Sequence, residues 1–185
     1  MLRRTLILAV MLPLGLFVAA RIVQVRADGP LGPLPGGPLR SGPIVPEPEV
    51  DWASESGPLG LIELQLVDPP HSRTVVGLVH GGALYAVCDR GYIWRRLPRA
   101  AMRLTRRFMY AARTWPEEAL RDGRGVVRIG GKRYPRRAVR VTDPELLTTL
   151  REVVRVATAE RSSEPLLEGP QDPDSIWFFR MEPLS

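Results

Sequence analysis

Arg73-Thr74-Val75-Val76-Gly77-Leu78-Val79-His80-Gly81-Gly82-Ala83-Leu84-Tyr85-Ala86-Val87-Cys88 decides the fold. Two largely apolar runs flank a glycine pair, and glycine freely supplies the two positive φ angles that a primed hairpin turn requires. The stretch reads as two antiparallel strands joined by a two-residue turn. Downstream the device repeats: Gly125-Val126-Val127-Arg128-Ile129, the pair Gly130-Gly131, then Lys132 to Val141. Upstream, Leu61-Ile62-Glu63-Leu64-Gln65-Leu66-Val67 alternates in part and stops at Asp68-Pro69-Pro70, and Ser175-Ile176-Trp177-Phe178-Phe179-Arg180-Met181 supplies a last strand. Six strands in a chain of 185 residues predict one compact, mainly β domain of α+β class.

Helices fill the gaps. Thr142-Asp143-Pro144-Glu145 has a capping-box pattern with Thr142 as the cap, and Leu146, Leu147, Leu150, Val153, Val154 and Ala157 then recur at helical spacing. Between Arg99 and Arg113 the pattern predicts a helix with Arg99, Arg103, Arg106, Arg107, Tyr110 and Arg113 on one face and Met102, Leu104, Phe108, Met109, Ala101 and Ala112 on the other. A short helix is expected from Trp115-Pro116-Glu117-Glu118, with proline in its first turn.

The N-terminal third has a different character. Leu6 to Ala20 is free of charge and is followed by Arg21-Ile22-Val23-Gln24-Val25-Arg26. A spanning helix needs about 20 residues, which Leu6 to Val25 reaches if Arg21 snorkels to the interface. Residues 1–26 are therefore expected to be a single-pass membrane anchor, N-terminus inside and domain outside the cytoplasm, with a signal cleaved after Val25-Arg26-Ala27 as the alternative. Residues 27–58 are dense in proline and glycine and are not expected to form regular helix or central strand. They read as a tether laid along the domain by Leu31, Leu34, Leu39, Ile44 and Val45, with Trp52 docking its end. The remaining domain, residues 59–185, carries a basic helical insert at 90–113.

Net charge is +6, unevenly placed. Residues 28–89 hold two basic and eight acidic side chains, whereas residues 90–140 hold 16 basic and three acidic ones. The basic stretch lacks an RNA-binding or helix-turn-helix signature, so no nucleic-acid partner is expected. The single cysteine, Cys88, excludes an intramolecular disulfide and paired-cysteine zinc motifs, and two histidines, His71 and His80, make no multi-histidine metal site. His71 reads as a turn residue, His80 as part of a hairpin and Cys88 as buried filler. Gly125 to Lys132 is no phosphate-binding loop, because Gly131 stands where lysine should and no helix follows. No Gly-x-Ser-x-Gly elbow is present, and no catalytic residue is assigned.

The order strand, hairpin, helical insert, hairpin, helix, strand resembles the split β-barrel of the pyridoxamine-phosphate-oxidase-like superfamily, which binds flavin mononucleotide (FMN) or a deazaflavin. His71-Ser72-Arg73-Thr74 with Gly82-Ala83-Leu84-Tyr85-Ala86-Val87 is similar to that family's opening. Trp115-Pro116-Glu117-Glu118-Ala119-Leu120-Arg121-Asp122-Gly123 resembles the tryptophan turn of the deazaflavin branch, with Glu118 near the place of its usual asparagine. Ile176-Trp177-Phe178-Phe179-Arg180-Met181-Glu182-Pro183 looks like its terminal strand, and Asp28-Gly29-Pro30 is similar to the linker of membrane-anchored members. The resemblance covers about residues 60–183 and implies a six-stranded split barrel preceded by one membrane helix. It further implies a homodimer and an FMN or deazaflavin cofactor whose phosphate meets Ser72, Arg73 and Thr74 beside Trp115, for hydride transfer by an oxidoreductase. The competing expectation is a non-catalytic membrane-anchored barrel module whose Arg99, Arg103, Arg106, Arg107 and Arg113 contact anionic lipid, or which binds a protein partner.

Overall fold

The computed structural model of the protein describes residues 15, 18–19, 21–32, 35–68, 70–89, 115–159 and 176–184. Six strands, β1 (Leu59–Leu66), β2 (Ser72–His80), β3 (Ala83–Asp89), β4 (Arg124–Ile129), β5 (Lys132–Arg140) and β6 (Ile176–Pro183), close into an antiparallel barrel in the order β1-β2-β3-β6-β5-β4. Each of the six strands is paired with a neighbour on both sides over part of its length. Both glycine hairpins form as expected: Gly81 and Gly82 take φ of 56° and 73°, and Gly130 and Gly131 take 56° and 76°. Two positive φ values in succession give the turn whose twist matches the strands it joins.

The period-two pleat sorts the side chains. Ile62, Leu64, Leu66, Val75, Leu84, Ala86, Cys88, Val127, Ile129, Tyr134, Ala138, Phe179 and Met181 form a single buried cluster that fills the interior. Two short helices complete it. α1 (Trp52–Ser56) brings Trp52 edge-on to Tyr134 at 5.0 Å, and α2 (Trp115–Arg121) brings Trp115 to Phe179 at 5.0 Å. α3 (Pro144–Ala159) covers the outside of β2, β3 and β6, where its Leu150 and Val154 pack against Leu78, Tyr85 and Phe178.

One cap differs from expectation. The Glu145 amide donates to Asp143 Oδ1 at 3.0 Å and the Leu147 amide to the Asp143 carbonyl at 2.9 Å, so Asp143, not Thr142, caps α3. Pro144 explains the shift: it has no N–H to satisfy and its fixed φ suits the first helical position, which puts the cap on Asp143 just before it, one residue later than expected. The basic helix expected at 99–113, and with it the whole 90–113 insert, lies outside the described residues. So does most of the expected anchor. Residues 21–26 are helical, and no helix among the described residues is long and apolar enough to cross a membrane.

The proline- and glycine-rich segment forms a strap across the outer faces of β2, β1, β4 and β5. Gly36 and Ser72 exchange two backbone hydrogen bonds of 2.8 and 3.2 Å, and Val45 and Arg133 form a second contact point at 2.8 Å. Leu39 and Trp52 are buried beneath it and Val45 packs on the core, whereas Leu31 and Ile44 face solvent. Gly36 must lack a side chain, because a Cβ there would overlap the Gly29 carbonyl where the strap doubles back on itself.

Candidate functional site

Ser72, Arg73 and Thr74 begin β2, and the pleat sends them to opposite sides of the barrel wall. Ser72 is fully buried and its hydroxyl donates to the Gly37 carbonyl at 2.5 Å. Thr74 points the same way and donates to the Gly32 carbonyl at 3.1 Å. Both hydroxyls hold the strap. Arg73 instead shares the inward side with Val75, where its Nη2 meets Glu118 Oε2 of α2 at 3.1 Å, each side chain about one-tenth exposed. Burial pulls the Arg73 guanidinium below its usual value, while Glu118 and then Cys88 lie close enough to oppose that shift. Trp115 is a core side chain at the base of α2. The structure brings Arg73 and Trp115 to one end of the barrel and does not bring Ser72 and Thr74 to them.

A second constellation is visible only in three dimensions. A proline-rich strap has few amide donors of its own, so its carbonyls need partners elsewhere. Arginine, with five N–H groups in a rigid fork, is well suited to supply them. Arg128 donates to Asp28 Oδ1 at 3.1 Å, the Asp28 carbonyl at 3.2 Å and Ser41 Oγ at 2.9 Å, and it also pairs with Glu63. Its partner across the β4-β5 hairpin, Arg133, donates to the carbonyls of Gly42 at 2.9 Å and Leu39 at 3.0 Å. Lys132 reaches Glu55 at 2.7 Å. Arg136 points inward, 1% exposed, and donates to the Glu47 carbonyl at 2.8 Å while its guanidinium lies 5.2 Å from the Trp52 ring and 5.9 Å from that of Tyr134. Four basic side chains of one hairpin thus clamp residues 28–56.

Electrostatics follow from these contacts. Hydrogen bonds from the Ser41 side chain and the Arg40 amide, with the charge of Arg128 behind them, hold the Asp28 carboxyl well below the usual carboxylate range. The Glu63 carboxylate raises the Arg128 guanidinium. Burial, with Glu55 adding to it, pushes the Tyr134 phenol up to about 12. Burial lowers the Arg136 guanidinium against the opposing pull of Tyr134 and Glu47.

Beside the strap, an open groove of 440 Å³ lies between Leu61, Glu63, Thr74, Arg128 and the Gly130-Gly131 turn. Of the four residues expected to hold a cofactor, only Thr74 lines it. Among the described residues no three His, Cys, Asp or Glu side chains gather as metal ligands. The clamp residues Arg128, Arg133 and Arg136 were not singled out from sequence. The signal that points to them is the contrast between an acidic, donor-poor strap and a hairpin with a basic residue at nearly every turn of the pleat.

The chain matches no family model, no curated protein and no solved structure.

Proposed function

We propose that the chain is a membrane-tethered, non-catalytic barrel module, a split barrel of the flavin-binding kind that meets an anionic lipid surface. One observation carries the reading: the side chains expected to hold a cofactor phosphate are each engaged inside the protein, Ser72 and Thr74 on strap carbonyls and Arg73 on Glu118. A phosphate taking their place would have to break three internal contacts on two sides of the barrel wall. The lipid side of the proposal rests on sequence. Arg99, Arg103, Arg106, Arg107 and Arg113 lie outside the described residues, and they follow an uncharged N-terminal run that is expected to anchor the domain at a bilayer.

The test is titration of the detergent-solubilised full chain with FMN and with a deazaflavin, followed by ligand fluorescence and thermal unfolding. A ligand present at 100 times its Kd and bound only to the folded state adds about 2.7 kcal/mol of stability. Neither cofactor is expected to produce a saturable change. A saturable shift with either cofactor overturns the proposal.

That outcome would establish a second reading, which a specific observation favours. The closed antiparallel barrel in the order β1-β2-β3-β6-β5-β4 has the six strands the resemblance implies, and the groove beside Thr74 falls in the range of about 300–1,000 Å³ common to small-molecule sites. On this reading the chain is a homodimeric oxidoreductase in which FMN or a deazaflavin supplies the hydride chemistry and the barrel positions it.

A further inference from the structure

We infer that Arg21, Arg26 and Arg40 form a binding site for anionic lipid headgroups where the strap meets the N-terminal helix. The inference rests on the membrane reading above and adds a surface that the sequence separates by 14 residues. Residues 35–40 double back along the end of the helix: Gln24 Nε2 donates to the Pro35 carbonyl at 2.5 Å, and Gly37 lies so close to the carbonyls of Val25 and Ala27 that a Cβ would overlap both. The Arg40 amide donates to Asp28 Oδ1 at 2.6 Å, and its Nη1 donates to the Arg26 carbonyl at 3.2 Å. Arg40 therefore stands at the helix C-terminus, where the backbone carbonyls favour a cation.

All three arginines are exposed, and among the described residues none is in an ion pair with a carboxylate. The same helix presents Val18, Ile22 and Val25 at i, i+4 and i+7, each 48% exposed. In sequence, Val18 is the stripe's overlap with the uncharged run of residues 6–20. Arg21 Nη1 donates to Gln24 Oε1 at 2.5 Å and Arg40 Nη1 to a carbonyl, which leaves the collar's charge unneutralised by any carboxylate among the described residues; an apolar stripe ending in such a collar matches the layering of a bilayer, acyl region first and phosphate next. Asp28, which holds the Arg40 amide, is itself held by Arg128 of β4, so the collar is fixed to the barrel.

The full chain reconstituted in phosphatidylcholine vesicles tests this, with flotation and the relative association of spin-labelled phosphatidylglycerol and phosphatidylcholine as readouts. Wild type is expected to float and to prefer phosphatidylglycerol. Arg40→Gln should lower that preference about fivefold, the contribution of one basic residue near an anionic surface, Arg40→Lys should retain it, and high salt should weaken it. A floating wild type with no preference, or a preference unchanged in Arg40→Gln, overturns the inference and leaves the membrane reading standing. Failure to float overturns both.

Discussion

Replacing Arg136 with alanine is expected to lower the unfolding free energy by about 3–5 kcal/mol, the range for emptying a large buried site. The guanidinium lies against Trp52 and Tyr134 and donates to the Glu47 carbonyl, so its loss opens a void and leaves that strap carbonyl without its donor. Arg136→Met fills the space of the stem but supplies no donor, and should lose only about 1–3 kcal/mol. Chemical denaturation followed by tryptophan fluorescence reads both. A loss below about 1 kcal/mol for the alanine variant would show that Arg136 contributes little to holding α1 and the strap on the barrel.

Breaking the Arg73–Glu118 pair from one side should be nearly as damaging. Both side chains are about nine-tenths buried, and Glu118→Leu strands the Arg73 guanidinium, at about 3–5 kcal/mol. Glu118→Leu is therefore expected to destabilise strongly, and Arg73→Met less so. The double variant should recover most of the loss, because two apolar side chains replace two buried charges in an interior already lined by Trp115 and Cys88. Additive losses in the double-mutant cycle would contradict a direct pairing and would reopen a separate role for Arg73.

Local chemistry made the barrel legible. The two glycine pairs fixed both hairpins, and the alternation of Ile62, Leu64 and Leu66 fixed the inward face of β1, because turn type and pleat parity are set by neighbours in sequence. Parity also held a warning about the candidate site: with Val75 inside, Arg73 must be inside and Ser72 and Thr74 outside, so three consecutive strand residues cannot converge on one ligand. The cap was misplaced on Thr142 by the capping-box pattern, although Pro144 at the first helical position leaves the cap to Asp143 before it. The clamp was not. Nothing near Arg128, Arg133 or Arg136 in sequence shows that their partners are Asp28, Leu39, Gly42 and Glu47, because those contacts span most of a domain and depend on where the strap's donor-poor carbonyls lie.

The strap and barrel are one folded unit, with hydroxyls and guanidinium groups that could serve a ligand used to hold the strap. Native-state hydrogen exchange on the full chain reads that coupling amide by amide. The amides of Gly36, Leu39 and Val45 donate to Ser72, Gln65 and Arg133; they should exchange as slowly as those of Ser72 and Arg133 on the barrel side and open with the same free energy. Exchange of the strap amides at the rate of an unstructured chain, with the strands still protected, would contradict the account and free Ser72 and Thr74 for a ligand.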